Sequence, residues 1–148
     1  MRYQVEKWED FYKDAIPLFE AHWKELENDR DGIVLNIDHE RYKALDDNGF
    51  LLINTARDEE LIGYIVNVVS ENLHCKELMS ENDSLYVKPE YRSQGIFSEL
   101  LDFTIKTLKE MNVSKMHIHT KVWQNFGGLL EKNNFVEIER NYELNLRN

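Results

Sequence analysis

The chain has 148 residues, 42% hydrophobic and 31% charged, with a formal net charge of -10. That size suits a single domain over residues 1–148 with one core. The acid excess disfavours nucleic acid as a partner, because it repels a phosphate backbone, and favours a cationic one.

The first residues, "MRYQVEKWEDFYKD", lack the apolar stretch of a signal peptide, and no later run approaches a membrane span. A cytoplasmic protein without a membrane partner is expected. Cys75 is the only cysteine, so neither an internal disulfide nor a cysteine zinc site is expected, and no metal is assigned. Arg2 to Val5 reads as a short strand. Asp10 to Leu26 carries Phe11, Ala15, Leu18, Phe19, His22, Trp23 and Leu26 at helical spacing, with Pro17 predicting a kink or a late start. "NDRDGIVLN" reads as a loop. Asp38 then caps a short helix, "HERYKALDDNG", that ends at Gly49.

"FLLINTAR" and "LIGYIVNVVS" are β-rich runs joined through "DEE", a hairpin signal. "ENLHCKELMSEN" reads as a loop, and "DSLYVKP" as a strand stopped by Pro89. Ile96 to Met111 is amphipathic, with Ile96, Leu100, Leu101, Phe103, Thr104, Leu108 and Met111 on one broad face. "KMHIHTKV" alternates, "QNFGGLLEKN" is a weaker helix, and "FVEIER" and "NYELNL" close the chain as alternating strands. The order predicts an α+β fold, a mixed sheet of about seven strands with helices on both faces.

Between the strand and the long helix lies "YRSQGIFSELL", residues Tyr91 to Leu101. A helix start leaves amide N–H groups unpaired and carries partial positive charge. Gly95 allows the backbone to bend toward a ligand. Arg92, Ser93, Gln94, Gly95, Ile96, Phe97 and Ser98 therefore read as an anion cradle.

This element order, with "LYVKPEYRSQGIFSELL" at its centre, resembles the GNAT superfamily of acyl-CoA N-acyltransferases. The family's signature is Arg or Gln, two residues, Gly, one residue, then Gly or Ala. Arg92 and Gly95 fit it, and Phe97 departs from it. "LLEKNNF" is similar to the family's "Y-E-K-x-G-F" segment, with Leu130 in place of Tyr and Asn134 in place of Gly. "HW", "YKALDDNG", "TARDEELIGY", Leu73-His74 and "TK" look most like acetyltransferase-like proteins of bacteriophages, which would place the chain in a host cytoplasm.

The resemblance implies a mostly antiparallel GNAT-like sheet, acetyl-CoA as the coenzyme, and N-acetyl transfer to a primary amine, while the net charge of -10 and Asp83 point to a cationic acceptor such as a lysine side chain or polyamine. It also implies that backbone groups of Leu85 and Val87 hold the pantetheine and the acyl carbonyl where two strands splay. Phe97 could face the core or crowd the phosphate. Leu130 cannot serve as a proton donor, which leaves Tyr86, Tyr91, Tyr142 or water as the acid.

Strand alternation places Asp83 on the face of Leu85 and Val87, and His119 on the neighbouring strand. Asp83 and His119 are the candidate catalytic pair, with His119 able to titrate near neutral pH. Each has a plainer reading, Asp83 as a strand-start residue and His119 as a satisfied histidine. His74 could line an acceptor pocket, and Trp8, Trp23 and Trp123 read as packing residues. The competing function is a protein of the same shape that has lost catalysis and binds another protein. A homodimer is left open.

Overall fold

The computed structural model describes residues 1–26 and 30–147. Much of the predicted "NDRDGIVLN" loop is seen, as a 3-10 turn Arg30–Gly32 and irregular chain beyond it; Asn28 and Asp29 lie outside the described residues. The elements are β1 (Arg2–Glu6), α1 (Trp8–Leu26), α2 (His39–Asp47), β2 (Leu51–Asp58), β3 (Glu60–Glu71), β4 (Leu78–Val87), α3 (Ile96–Glu110), β5 (Lys115–His117) and α4 (Gly127–Lys132).

The strands form one mixed sheet in the order β1-β2-β3-β4-β5. Neighbours are antiparallel except β4 and β5, which run parallel. A parallel pair needs a crossover, and α3 supplies it. Helices cover both faces, as the sequence predicts. Trp8, Phe11, Ala15 and Phe19 of α1 pack on Ile53, Tyr64, Val66 and Tyr86. Ile96, Leu100 and Leu101 of α3 pack on Ala56, Ile62, Ile65 and Val87. Each such large apolar side chain contributes about 1.5–3 kcal/mol on burial.

Local chemistry explains the elements that position the site. Pro17 sits inside α1, which begins at Trp8 and is a single helix through Leu26. Asp38 caps α2, its Oδ1 accepting from the Arg41 N–H at 3.1 Å. The Trp8 N–H donates to Asp46 Oδ2 at 2.9 Å, and the Tyr42 ring stacks on Trp8 with centroids 4.4 Å apart. These contacts lock α2 to the start of α1.

Three expectations are corrected. β4 begins at Leu78, not at Asp83, because residues 78–82 continue the ladder with β3. β5 pairs only over Lys115–His117, short of the full "KMHIHTKV" run. The sheet has five strands among the described residues, not about seven. "FVEIER" and "NYELNL" join no ladder, and Val136, Ile138, Tyr142, Leu144 and Leu146 are 70% to 87% exposed. Alternation describes side chains only, whereas a strand also needs a neighbour for its backbone groups.

At Gly63 of β3, neighbouring β4 leaves no room for a side chain. A Cβ there would lie 2.8 Å from the Tyr86 carbonyl oxygen and 3.1 Å from Val87 Cγ2. Gly63→Ala is expected to destabilise the fold by about 1–3 kcal/mol, the usual cost of overpacking. Urea denaturation tests this, and an unchanged midpoint would contradict so tight an approach.

Candidate active site

The pairing of β4 with β5 ends at Glu81 and His117. Beyond it, residues 82–87 of β4, His119 and Lys121 border a cleft of about 580 Å³. α1 contributes His22, Trp23 and Glu25, α2 contributes Tyr42, and Gln124, Phe126 and Leu129 close the remaining side.

Ladder geometry sets the β4 backbone. The Lys88 N–H donates to the Ile62 carbonyl on β3 at 2.9 Å. Alternation then turns the N–H and C=O groups of Leu85 and Val87 away from β3, toward the opening. Their side chains pack on the α3 side of the sheet.

Asp83 departs from the expected face. Val66 pairs with Ser84 and Asn67 with Asn82, so Asp83 is the extra residue of a β-bulge. The bulge shifts the alternation by one. Asp83 turns to the α1–α2 side, where the Tyr42 hydroxyl donates to its Oδ2 at 2.5 Å. Burial and the Asp83 carboxylate push the Tyr42 phenol well above its ordinary value, which keeps it a donor.

His119 is exposed and lines the same cleft. No hydrogen bond joins it to Asp83 among the described residues. Its neighbour His117 holds Glu81, Nδ1 to Oε1 at 2.6 Å. The candidate pair thus shares one cleft without direct contact.

Arg92 reaches into the cleft. Its Nε donates to the Val87 carbonyl at 2.8 Å, and its two terminal nitrogens donate to the Glu25 carboxylate at 2.7 and 2.8 Å. The guanidinium lies 5.2 Å from the Tyr86 ring centroid. The Arg92 bonds hold the Glu25 carboxyl below its usual range against its partial burial, and Gln124 Nε2 adds a bond at 2.7 Å. Burial pushes the Tyr86 phenol up, so it keeps its proton at neutral pH.

The loop Ser93, Gln94, Gly95 is exposed, and Gly95 has φ 76. No heavy atom lies within 4 Å of a Cβ built on Gly95. The amides of Ile96, Phe97 and Ser98 open α3 and lack intrahelical acceptors. These features fit a phosphate-bearing group, with backbone donors rather than the Glu25-bound Arg92 charge facing it. Phe97 packs edge-on against Phe126 at 6.3 Å and walls the cleft, which directs its bulk sideways from the helix start.

The sequence profile of the Acetyltransferase (GNAT) family matches residues 8–128. The chain belongs to that family. Among solved structures it is similar to an aminoglycoside acetyltransferase from an uncultured soil metagenomic sample, at 18% identity and TM-score 0.77, covering 99% of this chain and 96% of that one. It is similar to a ribosomal-protein-alanine N-acetyltransferase from Brucella melitensis biovar Abortus 2308, at 16% identity and TM-score 0.70, covering 97% and 98%. It is also similar to glucosamine-6-phosphate N-acetyltransferase from Arabidopsis thaliana, at 11% identity and TM-score 0.72, covering 99% and 100%. At these identities the likeness is one of fold. No curated protein matches the sequence.

Leu130 is 6% exposed in α4, and Tyr142 lies 86% exposed on the C-terminal segment. His74 sits in the exposed turn after β3, its amide bound to Asn72. Trp8 is core, whereas Trp23 lines the cleft. Tyr42, Glu25 and Gln124 escaped the sequence reading. Tyr42 shows only as one apolar position of a polar helix, and Glu25 meets Arg92 across 67 residues.

Proposed function

We propose that this GNAT-family protein transfers an acetyl group from acetyl-CoA to a primary, cationic amine such as a lysine side chain or polyamine. The observation that carries this is the opening beside β4, where backbone groups of Leu85 and Val87 face a cleft that also holds the Asp83 carboxylate. When bound, acetyl-CoA would supply the acetyl thioester. Ser93, Gln94, Gly95 and the amides of Ile96, Phe97 and Ser98 would hold its phosphates. Outward amides on β4 would orient the carbonyl and stabilise charge developing on its oxygen.

The amine must be neutral to attack. Asp83, fixed by Tyr42, and His119 across the cleft would accept its proton, directly or through water. Leu130 stands where the family pattern has a tyrosine acid. A thiol with a pKa of about 8.5 leaves as thiolate without a dedicated donor. The cationic acceptor rests on the net charge of -10 and on Asp83. The same reading has the protein act in the cytoplasm, the host's if a bacteriophage encodes it. Among the described residues no helix is long and apolar enough to cross a membrane. The buried Leu130 favours the second reading, an inactive GNAT-shaped protein that binds another protein.

A thermal shift separates the two. Acetyl-CoA at a hundredfold its Kd should add about 2.7 kcal/mol, and with about 2–4 °C per kcal/mol the melting temperature should rise by roughly 5–10 °C. Gly95→Trp should remove the shift and, because a side chain at the positive φ of Gly95 is strained, lower the ligand-free melting point modestly while the fold survives. A screen of amines by thiol release should then find turnover with cationic acceptors. No shift with acetyl-CoA would defeat the enzymatic reading.

A further inference from the structure

Two carboxylates line the cleft among the described residues, Glu25 and Asp83, and they differ in what they can still bind. Glu25 is neutralised. Arg92 donates to both of its oxygens at 2.7 and 2.8 Å, and Gln124 donates to Oε1 at 2.7 Å. Asp83 accepts from the Tyr42 hydroxyl, an uncharged donor, and forms no ion pair among the described residues. One carboxylate is thus left to meet a cation.

The α1–α2 side of the cleft is otherwise chiefly apolar. Phe19, Trp23 and Leu26 come from α1, Leu35 and Ile37 from the chain between α1 and α2, and Tyr86 from β4. Phe19 and Tyr86 belong to the core under α1, and Leu35 and Ile37 pack against it, so packing fixes these walls. The His22 ring stacks on that of Tyr86 with centroids 5.0 Å apart. An apolar body laid along them is driven there by the water it sheds. A second ammonium, a hydroxyl or a peptide group would exchange its hydration for apolar neighbours. Farther along, a second ammonium would find Glu25 already held by Arg92, with Lys121 lining the same cleft.

We propose that the acceptor is a small primary monoamine, its one ammonium held at Asp83 and its apolar or aromatic body laid along the α1–α2 side of the cleft. This rests on the acetyl-transfer reading above and narrows it. The net charge of -10 draws in any cation, but the cleft accommodates one positive charge. A lysine side chain has a suitable stem but carries peptide groups at its base. The transfer balances as follows. The amine lone pair bonds the acetyl carbon, and the carbon–sulfur bond breaks with its pair on sulfur. The ammonium sheds two protons in all, one through Asp83 to water and one to the thiolate, which leaves an amide and a free thiol.

Heptylamine and hexane-1,6-diamine match in length and differ by a terminal methyl against a terminal ammonium. At fixed acetyl-CoA, kcat/KM for heptylamine should exceed that for the diamine by at least about tenfold. N-acetyl-lysine methylamide should also trail heptylamine. Arg92→Met uncovers Glu25 and should lower the heptylamine-to-diamine ratio about tenfold. A ratio cancels any effect of that variant on acetyl-CoA. Calorimetric titration of the amines into the full chain gives the same comparison without turnover. Preference for the diamine or the lysine compound in either measurement would overturn the monoamine site, as would a ratio that Arg92→Met leaves unchanged. If no amine is acetylated but heptylamine still binds more tightly, acetyl transfer fails and the monoamine-selective cleft stands. Equal binding of heptylamine and the diamine would overturn that selectivity whether or not transfer occurs.

Discussion

Asp83→Asn is expected to lower turnover about a hundredfold to ten-thousandfold, the usual cost of losing a general base. The amide keeps the shape and an oxygen for the Tyr42 hydroxyl, so the loss would report the proton-accepting charge. His119→Ala should lower turnover on the same scale. Acetyl-CoA affinity should stay near the parent's in both, because the proposed phosphate-binding loop and the outward β4 amides are untouched. The two residues share a cleft without touching, so their coupling is informative. If they serve one proton path, through water or the amine, the double variant loses less than the product of the single losses. Tyr42→Phe keeps the ring stacked on Trp8 and removes the bond to Asp83, and a smaller fall in kcat is expected from it. Steady-state kinetics on a cationic acceptor would check all four variants. Near-parental turnover in both single variants would leave water or the substrate as the base.

The sequence carried the elements better than their partnerships. Helical spacing located α1 and α3, Asp38 signalled the cap of α2, and the run into Pro89 located the end of β4. Each is a local signal, set by side chains within a few residues. The bulge at Asp83 is not local. It depends on how Ser84 and Asn82 register against Val66 and Asn67 of β3, and it reverses the face that simple alternation gives. The same holds for the Glu25–Arg92 clamp, whose partners lie on α1 and in the loop before α3. Gly95 before α3 was legible because a positive φ ahead of a helix leaves a residue-type signature. Tyr42 was not, since a tyrosine on a short polar helix has the same pattern whether it meets solvent or a carboxylate. The C-terminal alternation misled, because it describes side chains alone, and residues 135–146 join no ladder.

Arg57→Ala is expected to cost about 3–5 kcal/mol of stability, as breaking one side of a buried ion pair does. Arg57 Nε and Nη2 donate to the two Glu6 oxygens at 2.7 and 2.8 Å, and Nη1 donates to Asp14 Oδ2 at 2.9 Å. The Glu6 side chain is only 6% exposed, whereas that of Asp14 is 54% exposed. Removing the guanidinium therefore takes from Glu6 its charged partner and leaves the Thr55 hydroxyl and the Gln4 side chain as neutral partners. Burial alone would raise the Glu6 carboxyl, but the bonds from Arg57, Thr55 and Gln4 outweigh it and hold the carboxyl below its ordinary value. A depressed carboxyl stabilises the fold above the unfolded value of about 4.3 and loses that contribution as pH falls through the folded value. In the variant the sign reverses, because burial now favours the protonated acid. The gap between parent and variant should thus be widest near neutral pH and narrow below about pH 4.3. Denaturant titrations at several pH values measure it, and a gap constant from neutral to acid pH would mean that Glu6 does not stay buried and charged. Glu6→Met with Arg57→Met should recover much of the loss, since apolar residues of similar volume replace such pairs at little cost.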